Sequence, residues 1–221
     1  MDTLLIRLVA PMQSWGIQSH YTVRDTALEP SKSGVIGLLC AALGRPRDTA
    51  LDDLSALRMG VRVDRQGEVR RDYHIARDVL DSGGKSTRAS IVTNRYYLAD
   101  AAFLVGLEGQ RELLAQLQAA LRDPVWALYL GRKAFTPSAP VYLRDGLKED
   151  TPLEVALRDY GWIVHPNRQE APQTVRVTLE TAHGSIVRPD VPLSFAERRF
   201  STRRVEMMFQ PAPGAVSMEV A

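Results

Sequence analysis

The sequence contains little cysteine, little lysine and none of the common motifs of nucleotide-binding, zinc-protease or serine-hydrolase sites. Its single cysteine, Cys40, excludes an intrachain disulfide and a zinc knuckle, and it favours a reducing, cytoplasmic setting. The four histidines are scattered without the spacing of metal ligands. We therefore expect neither a metal nor a cofactor.

Long hydrophobic runs are also missing, and the charge of the chain is nearly balanced. The apolar run near the start is too short for a signal peptide or a membrane helix, so we expect no membrane contact. The formal net charge is only +2, which says little about partners.

Arginine, in contrast, is abundant. Four of the 28 lysine and arginine residues are lysines, which leaves 24 arginines. A guanidinium binds phosphate through a planar fork and stacks on bases, so this bias favours a nucleic-acid partner. A codon bias toward arginine would give the same composition, and both explanations stay open.

The stretch 11–44 joins a predicted buried strand, at about Thr3 to Ala10, to a predicted buried helix with Ser31 as its N-cap. The first turn of this helix contains Lys32 and no acid, although the helix dipole favours acids there. Free amides, the hydroxyls of Ser31 and Ser33 and the Lys32 ammonium would together suit a phosphate. A lysine that simply points into water is the other interpretation.

The stretch 69–100 has little amphipathic order, and we interpret it as a long hairpin with a flexible tip near Gly83-Gly84. Basic residues and tyrosines on such an arm suit contact with a nucleic-acid backbone or with bases. An ordinary solvated excursion is equally compatible, because nearby aspartates dilute the charge. The basic residues of this arm are Arg70, Arg71, Arg77, Lys85, Arg88 and Arg95.

The predicted elements of the first 135 residues follow the order strand, helix, strand, strand, helix, strand. The strands are placed at 3–10, 59–63 (half-buried), 101–107 and 125–130, and the helices at 31–44 and 108–122. This is the order of the ferredoxin-like fold, an α+β arrangement that RNA-recognition modules share. We therefore predict a ferredoxin-like, RNA-recognition-motif-like domain over 1–135, with a protruding thumb hairpin at about 70–97.

Residues 136–221 are punctuated by prolines and are predicted to form a smaller, strand-rich C-terminal lobe. A short helix is placed at 151–160, and strands are placed at 174–181 and 205–209.

One catalytic alternative is a metal-independent endoribonuclease that processes repeat RNA. Such an enzyme needs a base for the ribose 2′-hydroxyl and a cation for the developing phosphorane charge. His20, Tyr21 and Lys32 supply these residue types, although most proteins of this size contain them too.

Five stretches, taken together and in this order, resemble the subtype-E branch of the fifth CRISPR-associated (Cas) protein family. The resemblance extends over nearly the whole chain. The stretches that carry it are Met12–Gly16, Pro30–Leu39, Tyr96–Leu98, Leu130–Lys133 and Phe195–Arg199.

The resemblance implies a RAMP-type fold and a non-catalytic subunit of the type I-E Cascade surveillance complex. It implies that the protein holds the 5′ handle of the CRISPR RNA (crRNA) and caps the backbone filament, in RNA-guided antiviral recognition of DNA. The implied partners are a CasC-like backbone subunit against the thumb and a CasA-like large subunit nearby, with only indirect contact to target DNA. Subtype-C relatives cut RNA with a Tyr, a Lys and a His, and this sequence lacks a matching adjacent Lys-His pair.

The resemblance also assigns roles to residues. The end of the first strand would read the handle, with Trp15 either stacked on a base or part of the core. Lys32 and Ser33 would bind a phosphate, whereas Arg198 and Arg199 are structural or meet a partner. The implied RNA-binding residues are Gln13, Ser14, Trp15, Gly16, Lys32, Ser33, Arg77, Arg88, Arg95, Arg132 and Lys133.

Overall fold

The computed structural model describes residues 1–16, 22–80, 84, 87–164 and 172–213, with the side chains of 87–89 left aside. The helices are α1 (Lys32–Leu43), α2 (Asp52–Ser55), α3 (Arg111–Arg122) and α4 (Leu153–Asp159). The strands are β1 (Asp2–Val9), β2 (Met12–Gln13), β3 (Val23–Arg24), β4 (Arg58–Arg65), β5 (Glu68–Leu80), β6 (Thr87–Ala99), β7 (Ala102–Gly109), β8 (Tyr142–Lys148), β9 (Thr174–Glu180), β10 (Ile186–Ser194) and β11 (Arg199–Pro211).

Seven strands form one large sheet in the order β10-β11-β9-β4-β7-β1-β8. Four of its strands and two helices follow one another along the chain in the order strand, helix, strand, strand, helix, strand. These elements are β1, α1, β4, β7, α3 and β8. Their four strands lie in the order β4-β7-β1-β8, which is the arrangement of a ferredoxin-like sheet. The predicted α+β fold is therefore confirmed.

The fourth strand of this unit lies later in the chain than the sequence predicted. Residues 125–130 do not form a strand, and β8 takes that place beside β1. The amides of Val125 and Trp126 donate instead to the carbonyls of Ala42 and Ala41, at 3.0 and 3.1 Å. The segment therefore satisfies carbonyls at the end of α1, which otherwise lack partners within the helix.

Two apolar clusters cover the two faces of the large sheet. Leu4 and Ile6 belong to the cluster that α1 and α3 complete, whereas Leu5 belongs to the one that α4 completes. Because both faces are covered, β4 is buried along most of its length, and the prediction of a half-buried strand was wrong. Arg62 is fully buried there, where it pairs with Asp64.

The C-terminal strands extend the same sheet. β9 pairs with β4, and β11 and β10 follow outward from β9. The predicted strands at 174–181 and 205–209 and the helix at 151–160 are present with shifted ends. The division into domains at 1–135 and 136–221 stays a prediction, and the strands of both parts hydrogen-bond into one sheet.

A second, small sheet contains the predicted hairpin. β5 and β6 pair antiparallel from Glu68 opposite Ala99 to Leu80 opposite Thr87, and β2 and β3 flank the base of β6. Most of the predicted tip lies outside the described residues.

The predicted ends of α1 are confirmed. The hydroxyl of Ser31 accepts from the amide of Gly34 at 3.3 Å, and Gly44 ends the helix in the left-handed region with φ of 70°. Among the described helices, none combines the length and hydropathy needed to cross a bilayer.

Candidate nucleic-acid interface

Gln13 is fully buried just after β1. Its side-chain amide donates to the carbonyls of Leu8 and Ala101, at 3.2 and 2.8 Å. These bonds fix the chain where it leaves the large sheet and enters the small one. The nitrogen of this side chain is therefore used within the protein, whereas its buried oxygen has no partner among the described residues.

Ser14 joins this junction to the loop that contains Gly131. The amide of Ser14 donates to the carbonyl of Leu130 at 3.1 Å. Gly131 has φ of 94°, and a Cβ placed on it would lie 1.8 Å from the carbonyl oxygen of Ser14. Only glycine permits this close approach, so the stretches 12–16 and 130–133 meet in space as one unit.

Trp15 belongs to the core. Its side chain is 2% exposed, and it packs against Gly34 on α1 so closely that a Cβ there would lie 2.8 Å from the ring. Of the two interpretations of Trp15, this burial supports the core interpretation, and Gly16 beside it is exposed.

Lys32 is also buried, with 2% of its surface exposed. Its ammonium donates to both carboxylate oxygens of Glu180, at 2.9 and 3.0 Å, and its backbone amide donates to Asp190 at 2.8 Å. Burial lowers the pKa of Lys32, and Glu180 opposes that shift. The expected phosphate site on Lys32 is thus corrected, because carboxylates of the chain itself occupy this ammonium and this amide.

The sequence patterns did not identify three further residues of this buried charge network, which are Glu180, Asp190 and Arg203. Arg203 donates to both oxygens of Asp190, at 2.7 and 2.9 Å, and lies 3.4 Å from Glu180. The one signal available was the absence of an acid in the first turn of α1. The acid that serves this helix end comes from β10, which is distant in sequence.

Ser31 and Ser33 of the expected phosphate site both border open space, and Ser33 is the more exposed of the two. Both line a cleft of about 210 Å³ together with Ser14, Gly16 and Gly131, and we call this space the junction cleft. Phe195 and Phe200 close its far side. Four of the five stretches that carry the family resemblance therefore meet at one cleft.

Arg132 lies at the base of the hairpin. The loop that contains it is closed by two hydrogen bonds between Leu130, Arg132 and Phe135, both at 2.8 Å. The guanidinium of Arg132 donates to the carbonyl of Tyr96 at 2.8 Å and lies over the ring of Phe135, 5.3 Å from its centroid. The loop therefore holds this side chain against the small sheet.

Two further arginines lie near Arg132. Arg24 on β3 is directly beside Arg95 on β6, and Asp72 on β5 faces Arg95 from the other side. Burial lowers the pKa of Arg132, and the charges of Arg95 and Arg24 lower it further, while Asp72 raises it. We name Arg24, Arg95 and Arg132 the arginine cluster.

Among the described residues, the charges that act on Arg132 are those of the Arg95 and Arg24 guanidinium groups and of the Asp72 carboxylate. Guanidinium groups stay charged at neutral pH, so their mutual repulsion favours an anionic ligand. The sequence identified Arg95 and Arg132, but it missed Arg24, because only the pairing of β3 with β6 brings Arg24 to this place.

The remaining predicted contacts are dispersed. Lys133 is exposed beside Arg132. Arg77 is exposed on β5, on the face opposite to Arg95 by the alternation of strand residues. Arg88 lies on β6 opposite Val79, and its side chain is outside the described part of the chain.

The two faces of the hairpin differ in chemistry. The charged face, that of Arg95, carries Arg70 and Asp72, whereas the opposite face exposes Tyr73, Ile75 and Val92 at 60%, 48% and 38%, between Arg71 and Arg77. We call the part of this face formed by Tyr73, Ile75 and Val92 the apolar face. Large exposed apolar groups that lie together typically mark a protein-contact surface.

The alternative catalytic set does not form a described site. His20 and Tyr21 lie outside the described residues, and Lys32 is paired with Glu180 as above. Within the described ranges, no group of three or more His, Cys, Asp or Glu side chains is placed to hold a metal ion.

Comparisons with known proteins agree with this architecture. A family described as CRISPR-associated protein (Cas_Cas5) matches residues 3–206. The CRISPR system Cascade subunit CasD of Escherichia coli (strain K12) is 36% identical in an alignment of 157 positions, and this alignment covers 63% of this chain and 69% of that protein.

Two solved structures are similar along almost the full chain. One, described as a crystal structure of a Cas protein, shares 45% identity with a TM-score of 0.79 and covers 96% of this chain and 97% of its own. The other belongs to a CRISPR RNA-guided surveillance complex, shares 35% identity with a TM-score of 0.73, and covers 96% of this chain and 91% of its own.

Proposed function

We propose, because the chain belongs to the CRISPR-associated protein (Cas_Cas5) family, that it is a non-catalytic, RNA-binding subunit of a Cascade-type surveillance complex. In this proposal it holds the 5′ handle of the crRNA and caps the backbone filament. The kinship to CasD and to a subunit of an RNA-guided complex supports the general role.

The single observation that carries the RNA contact is the arginine cluster. Arg24, Arg95 and Arg132 come from three separate segments, and the fold brings their charges together at the base of the hairpin. Such a group is costly without an anion and is well suited to consecutive phosphates of a single strand.

The path of the handle follows from the neighbours of this cluster. The junction cleft lies on the other side of Gly131 and offers the hydroxyls of Ser14 and Ser33 along with the exposed backbone of Gly16. We propose that the RNA passes from this cleft over the loop of Arg132 and Lys133 to the arginine cluster. Gln13 and Trp15 shape this path from the core.

The hairpin contributes to both kinds of contact. Its charged face continues the arginine cluster, and we assign it to RNA. Its apolar face, with Tyr73, Ile75 and Val92, suits a protein surface, and we assign it to the CasC-like backbone subunit. A CasA-like large subunit and, through it, target DNA complete the proposed set of partners.

The salt dependence of RNA binding tests this proposal. Each phosphate contact to a single strand adds about −0.7 to the slope of log K against log salt concentration. For Arg132→Ala we expect weaker binding of a handle-containing RNA and a slope less negative by about 0.7. Fluorescence anisotropy at several salt concentrations measures both quantities.

Arg158→Ala is the matched control. Arg158 is an exposed arginine on α4, on the sheet face opposite to α1, and it pairs with Asp159. This variant should leave both affinity and slope unchanged. If Arg132→Ala binds RNA with the same affinity and salt slope as the control, the arginine cluster does not lie on the RNA path.

Incubation with repeat RNA in the presence of a chelator tests the absence of catalysis. We expect intact RNA after incubation with the purified protein. A discrete product that disappears in His20→Ala would establish the ribonuclease in place of the binding subunit.

A further inference from the structure

A groove runs along the outer side of α1. Among the described residues, its lining includes no member of the arginine cluster, but it shares Ser33, Gly34, Gly131 and Phe195 with the junction cleft. On the α1 side it is lined by the small residues Gly34, Gly37 and Ala41 together with Leu38, and its wall contains Trp126 and Tyr129. Its volume is about 340 Å³, and we call it the helix groove. A bound segment would approach the helix backbone closely at the small residues.

The wall of the helix groove is apolar and exposed. Trp126 is 47% exposed, Tyr129 36%, and Val125 beside them 65%. The hydrogen bonds from Val125 and Trp126 to the end of α1 hold this wall in place. A rigid, exposed group of aromatic side chains beside a groove is typical of a protein-binding site, where tryptophan and tyrosine contribute most of the affinity.

The charged side chains described along the helix groove are all basic. Among the described residues that line it, Arg45 and Arg47 are charged, and none is acidic. Arg45 is already paired with Asp53, at 2.6 Å. Arg47 is exposed and donates one bond to the carbonyl of Phe195 at 3.2 Å, so its guanidinium is the one available to a ligand.

We infer that the helix groove binds an apolar polypeptide segment with one carboxylate, supplied by a protein subunit of the complex. The carboxylate would meet Arg47, and apolar side chains would pack on Trp126 and Tyr129. An RNA strand carries one charge per nucleotide, and a single available guanidinium along an apolar groove suits it poorly. The inference rests on the proposed function only for the origin of the partner.

Site-specific photo-crosslinking in the assembled complex tests the inference directly. The complex is assembled from purified subunits and crRNA, with p-benzoylphenylalanine in place of Tyr129. We expect one crosslink to a defined segment of a protein subunit, identified by mass spectrometry, with an acidic residue near it. A crosslink to RNA, or none, would overturn the inference.

The same photoreactive residue in place of Leu193 is the control. Leu193 is 51% exposed on β10 and is not among the residues that line the groove, so its crosslinking reports background contact. A crosslink from Tyr129 to the same segment as from Leu193 also counts against the inference.

Variants at Gly37 give a second, independent test. A Cβ at Gly37 would meet only the ring of Phe195, at 3.7 Å, which is ordinary van der Waals contact. Gly37→Phe fills the groove, whereas Gly37→Ala leaves it open and serves as the matched control. We expect Gly37→Phe to weaken binding of one protein subunit by about tenfold or more.

The RNA affinity of the isolated chain separates this inference from the proposed function. Gly37→Phe and Gly37→Ala should bind handle RNA with the same affinity, while Arg132→Ala should bind it more weakly. Full assembly of the Gly37→Phe complex would overturn the inference. A loss of RNA affinity in Gly37→Phe would also count against it, because Ser33 and Phe195 border both spaces and the groove would then belong to the RNA path. Failure of Arg132→Ala to affect RNA binding would count against the RNA path alone.

Discussion

Lys32 illustrates how far a single residue can depart from its apparent role. A lysine at a helix start would ordinarily reach into water, but here it is buried against Glu180. A buried charge that loses its partner is strongly destabilising, so the network of Lys32, Glu180, Asp190 and Arg203 ties α1 to β9, β10 and β11.

For Lys32→Ala we therefore expect a loss of stability and no loss of RNA contacts. Removal of one partner of a buried ion pair should lower the free energy of unfolding by about 3 kcal/mol. Urea denaturation measures this change, and anisotropy with handle RNA measures the salt slope.

Lys32→Met is the control for packing, because it keeps the aliphatic part of the side chain and removes only the charge. We expect it to be destabilised as well. Unchanged stability together with a less negative salt slope would show that Lys32 contacts RNA.

Asp190 gives the network a predictable response to acid. Burial pushes the pKa of Asp190 up, but the hydrogen bonds and charge of Arg203 outweigh it, so its pKa lies below the ordinary value of 3.8. A carboxyl whose pKa is lower in the folded than in the unfolded state stabilises the protein at pH values above its unfolded-state pKa. This stabilisation is lost as the pH falls through the folded-state pKa.

The comparison with Asp190→Asn isolates this contribution. At pH 7 the variant should be less stable than the natural chain by about 3 kcal/mol, because Arg203 loses its charged partner. As the pH is lowered past 3.8 the difference should shrink. Urea midpoints measured between pH 7 and pH 3 check the sign, and a difference that grows in acid would refute the assignment.

At the scale of elements, the hairpin of β5 and β6 has a base and a distal part with different roles. The base is fixed by β2 and β3 and carries Arg95. The distal part is paired only within itself among the described residues. Its removal should therefore leave the core of the protein intact.

We expect a shortened hairpin to fold and to lose its protein partner. Residues 77–90 would be replaced by Asn-Gly between Ala76 and Ile91, which lie directly opposite each other. The replaced segment contains Arg77, Lys85 and Arg88, so the RNA salt slope should become less negative by about 0.7 for each of these that contacts a phosphate, and by no more than about 2.1 in total. Size-exclusion chromatography with the backbone subunit should show the loss of co-assembly.

The double variant Tyr73→Thr and Ile75→Thr is the matched comparison, since it alters only the apolar face. It should reduce co-assembly with no change in the salt slope. If the shortened hairpin still assembles fully, the apolar face is not the partner contact.

At the scale of the whole molecule, the continuous sheet determines how the chain unfolds. β8 completes the ferredoxin-like unit, and β9 hydrogen-bonds to β4, so both predicted domains contribute to one set of strands. We expect a single cooperative transition, because neither part retains its sheet partners alone.

Two tryptophans report separately on the two parts. Trp15 lies within 1–135 and Trp162 within 136–221, and each is retained alone by replacing the other two tryptophans with phenylalanine. Urea midpoints from the two fluorescence signals should coincide. Clearly separate midpoints would establish two independent domains.

The sequence by itself determined the local features of this protein. The N-cap at Ser31 and the stop at Gly44 depend on side chains within a few residues of one another, and the hairpin joins two strands that are adjacent in the chain, so these patterns are visible in the sequence. The segment 125–130 was misjudged because its partner, the end of α1, is distant in sequence.

The tertiary structure alone decided which charges face a ligand. Lys32 meets Glu180 across 148 positions of the chain, and Arg24 meets Arg95 only through the pairing of two strands. Whether a charge is neutralised or left facing outward depends on its neighbours in space. Composition therefore indicated an arginine-rich protein of nearly balanced charge, and topology selected the arginines that we assign to RNA.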